Sequence, residues 1–336
     1  MQFYQIKKKY KTVKGLLGHP LDWPIEVYSL LVRKSNSGTD PADYQSPAVL
    51  TNPRIEPLLK LANKTPIKAF SVDAKRIHES KEQIHHALKE HGVCVIEDML
   101  DRREALSASA ELDVFLTQYE IQSKLANNAA GYGEQANFIW QTDNAWSDDY
   151  LEIASSEKPI LSIRSRDKQK DDGGMIDLFN VQAFAAQQGL HALHGCIQQI
   201  RNSVLSKYVS ELSGYAIRQS NLYINEGVTQ TRGPHIDNNS DPFKIFLYLS
   251  DVLNDDDGPY CYLPGSTKNR RWMTKERLNN ANTGKPTTEV SSFPRDKMTK
   301  LFAKAGSVII TNQSGIHCGW PQSHSARRKV VVTNFY

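Results

Sequence analysis

Gly233-Pro234-His235-Ile236-Asp237 carries the pattern that decides the fold. Along an extended chain, residues i and i+2 point to the same face. The His235 imidazole and the Asp237 carboxylate therefore converge on one point. A second histidine, His317, follows a strand-like run over 307–311 and a turn over 312–315. Two neutral imidazoles and one carboxylate on one face of an octahedral ion leave three positions open, which is the ligand set of non-haem iron(II) sites. A lone HxD tripeptide arises by chance. Here it stands before a strand, and His317 stands before the terminal strand.

Outward from this stretch, strand-like runs at 217–225, 243–250, 260–263, 307–311 and 329–336 are separated by Gly, Asn, Asp and Pro clusters. Upstream, 79–90 has Ile84, Ala87 and Leu88 at helical spacing, and Gly92 stands where a helix stops. Val93, Val95 and Ile96 form a short strand, and Asp101 is placed to cap a helix from Arg102. The longest helical signal covers 181–212, where Leu193, Ile197, Ile200, Val204, Tyr208 and Leu212 recur at steps of three and four. Helices first and short strands later predict an α+β fold with a closed or double-layered β core. Seven prolines precede residue 76, so residues 1–75 are expected to be an irregular N-terminal elaboration packed on the core. Residues 76–336 are then the functional domain.

Composition excludes several classes. The 336 residues carry 41 basic and 37 acidic side chains, a net charge of +4. That charge is too small and too dispersed to mark a nucleic-acid or membrane partner. No apolar run reaches the ~18 residues a membrane span needs. The basic start, with Lys7, Lys8, Lys9, Lys11 and Lys14, lacks the apolar stretch of a signal peptide. The four cysteines, Cys94, Cys196, Cys261 and Cys318, form no CxxC pair. They argue against a zinc ribbon or a disulfide framework and for a reducing, cytoplasmic location.

Arg328 lies eleven residues after His317, at the start of the last strand. A permanently charged guanidinium clamps a carboxylate with two parallel hydrogen bonds. Strand alternation sends one of Arg327 and Arg328 inward and the other to solvent. Arg328 is preferred as the inward clamp.

Taken in order, these residues resemble the phytanoyl-CoA dioxygenase family of iron(II)/2-oxoglutarate-dependent oxygenases. The matching stretches are Gly92-Val93-Cys94-Val95-Ile96-Glu97-Asp98-Met99-Leu100, Pro234-His235-Ile236-Asp237, and Asp251 leading to Asp257-Gly258-Pro259. Leu263-Pro264-Gly265-Ser266-Thr267, Gly306-Ser307-Val308, His317 and Arg328 complete the set, which spans roughly 80–336. The resemblance implies a double-stranded β-helix, a jelly-roll-like core flanked by helices. It implies iron(II) bound by His235, Asp237 and His317, with 2-oxoglutarate and dioxygen as co-substrates. It implies that Arg328 holds the C5 carboxylate of 2-oxoglutarate and that Asn225 lies beside it. Thr311 can add a hydroxyl there, although a strand threonine and a strand-end asparagine are also ordinary features. Thr267 departs from the family, which usually has histidine at that place. Related halogenases have Ala or Gly where this chain has Asp237, so the carboxylate implies hydroxylation or a related C–H oxidation.

The expected substrate is a small organic molecule. Within 131–177, Trp140, Trp146, Arg164 and Arg166 are candidates for the substrate side. Arg164 and Arg166 alternate on a short strand and suit a carboxylate or phosphate. Pairing with Asp167 or Asp171 is the plainer alternative, as core packing is for the tryptophans. A non-catalytic binding module, or a cupin-type metal protein without 2-oxoglutarate, would share the fold. The complete set of His235, Asp237, His317 and Arg328 counts against both.

Overall fold

The structure, a computed structural model, describes residues 67–120, 132–134, 139–142, 159–165, 171–237, 242–268, 276, 280, 286, 288–290 and 292–335. Strand β1 (Ser71–Asp73) leads to helix α1 (Lys81–His91), β2 (Val93–Glu97) and α2 (Arg102–Gln118). Strands β3 (Tyr132–Glu134), β4 (Ile139–Thr142), β5 (Ile160–Ile163) and β6 (Met175–Phe179) follow. Next come α3 (Val181–Gln187), α4 (His191–Asn202) and α5 (Val204–Ser213). The remaining strands are β7 (Ile217–Glu226), β8 (Phe243–Tyr248), β9 (Tyr260–Tyr262), β10 (Thr299–Leu301), β11 (Val308–Asn312), β12 (His317–Gly319) and β13 (Arg327–Phe335).

A large sheet has the order β1-β2-β11-β8-β13-β7-β6-β5-β4-β3, and a small one β10-β9-β12. His235 bridges to His317, so its segment adds a rung beside β12. From β7 onward the chain alternates between the sheets: β7, β8, β11 and β13 lie in the large one, and the His235 segment, β9, β10 and β12 in the small one. That alternation, with β11-β8-β13-β7 adjacent and β10-β9-β12 adjacent, is a double-stranded β-helix. Helices cover the outer face of the large sheet, where Leu222 and Ile224 join one buried cluster with Leu112, Phe115, Leu193 and Ile197. Among the described residues no helix is long and apolar enough to cross a membrane.

Local chemistry explains most boundaries. Gly92 ends α1 in the left-handed conformation (φ 74°), where a side chain is strained. A Cβ there would also fall 2.4 Å from the Tyr262 hydroxyl. The Asp101 carboxylate caps α2 by accepting from Arg103 N–H at 2.7 Å. The helical signal over 181–212 is three helices rather than one. Gly189 (φ 69°) breaks it first. Ser203 breaks it again with an extended backbone and caps α5 through Ser206 N–H. The apolar periodicity runs on because all three helices bury the same kind of face. Strand β1 falls inside the 1–75 segment and pairs in parallel with β2; residues 1–66 lie outside the described residues.

Helix α4 has no capping side chain of its own, since Leu190 occupies the cap position. Glu111 from α2 substitutes, accepting from Ala192 N–H and Leu193 N–H, both at 3.0 Å. A carboxylate on exposed helix-start donors is favourable by hydrogen bonding and by the helix dipole. Glu111→Ala is expected to lower the unfolding free energy by about 1–2 kcal/mol. Urea melts of the two proteins measure this, and equal midpoints would refute the cap.

Candidate metal centre

His235 and His317 exchange backbone hydrogen bonds at 3.0 and 2.9 Å. Their rings consequently lie side by side, with centroids 4.5 Å apart. Asp237 N–H donates to the Gln313 carbonyl at 3.0 Å, extending the pairing toward the open end. The Asp237 Oδ1 atom sits 3.6 Å from His235 Nε2 and 3.5 Å from His317 Nε2. One ligand atom from each residue lies within 4.8 Å of the others, a spacing that can hold a metal ion. The histidines are buried, whereas the Asp237 side chain keeps 29% of its surface exposed. The cluster thus opens on the carboxylate side.

Each imidazole is oriented in the same way. His235 Nδ1 lies 2.7 Å from the Gly233 carbonyl, and His317 Nδ1 lies 3.0 Å from the Gly315 carbonyl. A carbonyl only accepts, so Nδ1 carries the proton and Nε2 presents its lone pair to the cluster. Gly315 has no room for a side chain, because a Cβ would fall 1.9 Å from the Tyr262 hydroxyl. That hydroxyl donates to the Asn312 carbonyl at 2.9 Å, and Ser266 Oγ accepts from Ile316 N–H at 2.9 Å. The Pro264–Thr267 stretch therefore braces the turn that delivers His317.

The electrostatics favour ligands that are ready without losing a proton. Burial, then the neighbouring His317 and Arg232, push His235 down to about 3. Enclosure works against ionisation of Asp237, but the Lys244 cation outweighs it and holds the carboxyl well below its usual range. Lys244 Nζ lies 2.6 Å from Asp237 Oδ2.

On β13, Arg328 stands opposite Asn225 of β7. It donates through Nη2 to Asn225 Oδ1 at 3.0 Å and through Nη1 to the Gly258 carbonyl. Arg327 points the other way and pairs with Asp113 and Glu226. The Thr311 hydroxyl accepts from Gln313 Nε2 at 2.6 Å.

Arg164 is engaged by Asp172 at 3.1 Å and buried Asp177 at 3.0 Å; Asp167 lies outside the described residues. Asp172 also accepts from Arg232 N–H at 3.3 Å, which ties this pair to the segment entering His235. Trp140 lies in β4 opposite Leu161 of β5, while Trp146 and Arg166 fall outside the described residues.

Two residues near the cluster escaped the sequence reading. Tyr260 stacks on the His317 ring (centroids 5.6 Å, 25°), with its hydroxyl buried on the side of Thr311 and Gln313. Lys244 is the other. The signals were present, as Tyr-Cys-Tyr over 260–262 places both phenols on one face, and Phe-Lys-Ile-Phe over 243–246 interrupts an apolar strand with a cation.

No family model and no curated protein matches the chain. Among solved structures the chain is similar to the non-heme alpha ketoglutarate dependent epimerase SnoN from nogalamycin biosynthesis, at 12% identity and a TM-score of 0.41 over 77% of this chain and 83% of that one. It is similar to the carbocyclase SnoK from the same biosynthesis, at 12% identity and a TM-score of 0.40 over 82% and 85%. It is also similar to HygX from Streptomyces hygroscopicus with nickel and 2-oxoglutarate bound, at 15% identity and a TM-score of 0.36 over 74% and 84%. Likenesses at these levels assign no activity to this chain.

Two outcomes follow from the geometry. Gly315→Ala is expected to displace the His317 turn and weaken nickel(II) binding at least about tenfold; calorimetry showing unchanged affinity would contradict the crowding. The second concerns pH. An ordinary histidine protonates near 6.5, whereas His235 stays neutral in the fold down to about 3. Between these values the unfolded chain binds a proton that the folded chain does not, so folded-state stability declines as pH falls from about 6.5 toward 3. His235→Gln removes this contribution, and the metal-free variant is expected to lose less stability between pH 7 and pH 5 in urea melts. A parallel decline would refute it.

Proposed function

We propose that this chain is a non-haem iron(II)/2-oxoglutarate-dependent dioxygenase that hydroxylates, or otherwise oxidises, an unactivated C–H bond of a small organic molecule. The observation that carries this reading is the convergence of His235, Asp237 and His317 inside a double-stranded β-helix that also points Arg328 inward. The resemblance to the phytanoyl-CoA dioxygenase family in residues 80–336 supports it.

The residues present fit the groups. Two imidazole nitrogens and one carboxylate oxygen suit iron(II) and leave open positions for a chelating co-substrate. The Tyr260 hydroxyl is buried beside the cluster, on the side of Thr311 and Gln313. When bound, iron would activate dioxygen, the oxidant, with 2-oxoglutarate giving up two electrons as it leaves as succinate and carbon dioxide and the substrate C–H bond giving the other two.

The protein's part is binding, orientation and dryness. His235 and His317 offer Nε2 atoms whose direction is set by the Gly233 and Gly315 carbonyls. Arg328 commits donors to Asn225 and Gly258; a guanidinium has five N–H groups, so others remain to clamp a distal carboxylate. Asn225 and Thr311 serve as its flanking polar groups. Phe246 lies against Tyr260, centroids 5.0 Å apart, and keeps water from the interior. Asp237 occupies the metal position that a chloride would need, which favours hydroxylase-type over halogenase chemistry. Trp140, Trp146 and Arg166 are assigned to the substrate side, and Arg164 to its support through Asp172 and Asp177. Residues 76–336 form the catalytic domain and 1–75 its elaboration. A reducing cytoplasm keeps the four free thiols and iron(II) in the reduced state.

Anaerobic addition of iron(II) and 2-oxoglutarate is expected to give a weak visible metal-to-ligand charge-transfer band. His317→Ala should abolish it. Arg328→Leu should keep metal binding but raise the 2-oxoglutarate half-saturation concentration at least about tenfold. No band at saturating ligand would overturn the co-substrate assignment, and a chlorinated product in the presence of chloride would overturn the hydroxylase assignment.

A further inference from the structure

Asp237 uses its two oxygens differently. Oδ1 faces both imidazoles, at 3.6 and 3.5 Å, while Oδ2 is 2.6 Å from Lys244 Nζ. Lys244 projects from the middle of the large sheet, where its backbone is paired with Thr311 of β11 on one side and Asn334 of β13 on the other. A strand with neighbours on both sides is a rigid base for a flexible side chain. The Lys244 side chain is 20% exposed, and a half-enclosed cation requires a counter-charge. Asp177 is held by Arg164 at 3.0 Å, and Lys244 meets the Asp237 carboxylate directly.

We propose that Lys244 is a positioning residue that holds Asp237 Oδ2 away from the metal, so that Asp237 binds through Oδ1 alone. The coordination count shows why this matters. Two imidazoles, one carboxylate oxygen and a two-point co-substrate fill five of six octahedral positions and leave one for dioxygen. A carboxylate binding through both oxygens would fill the sixth. The co-substrate part of this inference rests on the function proposed above; the one-oxygen part does not.

The test uses the full chain with Lys244→Met, which keeps the length and removes the charge, and Lys244→Arg, which keeps the charge. Cobalt(II) alone is titrated into each metal-free protein under nitrogen, and its visible absorption and affinity are recorded. Lys244→Met should bind cobalt(II) at least as tightly as the parent, because a repelling cation and a competitor for Asp237 are gone. Its spectrum should shift toward a higher coordination number. Its 2-oxoglutarate half-saturation concentration should rise about tenfold, and Lys244→Arg should restore both properties toward the parent. A Lys244→Met protein with the parent's cobalt spectrum overturns the proposal. So does one that loses cobalt affinity together with thermal stability, since that is the signature of simple structural support. If the parent itself fails to bind 2-oxoglutarate, the function above fails while the cobalt spectra still decide the role of Lys244.

Discussion

Two backbone hydrogen bonds between His235 and His317, at 3.0 and 2.9 Å, set the geometry of the whole centre. They bring together segments from different parts of the chain and leave neither peptide group free to rotate. Rungs on both sides reinforce them: Ile236 N–H to Thr288 O, Val290 N–H to Pro234 O, and Leu263 N–H to Ile316 O, all between 2.8 and 2.9 Å. Because the ladder is backbone, the side chains above it are free to be chosen for chemistry. Imidazoles on one shared rung and a carboxylate two residues on are the consequence of strand periodicity applied to one paired segment.

The same periodicity gives three consecutive basic residues three different fates. On β13, Arg327 and Lys329 face outward and Arg328 faces inward. Arg327 and Lys329 both reach Asp113 on α2, and Lys329, only 2% exposed at its side chain, also donates to the Ser109 carbonyl. Burial pulls the Lys329 amine down while Asp113 opposes it. This pairing fastens α2 across the outer face of the large sheet. Arg328, one residue from each, instead meets Asn225 and Gly258 in the interior.

Much of this was legible in the chain. The HxD tripeptide, the delayed His317 and the alternation at 327–328 are local patterns, and local patterns survive the absence of a structure. So did Gly92 and Asp101, whose roles depend only on their own backbone. What was not legible depends on distant partners. Strands β6, β10 and β12 are short, and no run of alternating residues marks them; they exist because β7 and β9 offer edges to pair with. Asp177 reaches Arg164 through the pairing of β5 with β6, across thirteen positions of sequence that only the sheet brings together. Tyr260 and Lys244 look like ordinary strand residues until the two sheets are closed over each other. The 181–212 signal failed in the opposite direction, since an unbroken apolar rhythm hid two backbone breaks.

The His235–His317 bridge spans 82 residues of sequence. Joining points so far apart requires a large loss of chain entropy before any contact compensates it. The chain between them holds β8, β9, β10 and β11, whose contacts in the closed fold offset that loss. An ion that bound only the closed β-helix would therefore add its affinity to the stability of the entire fold.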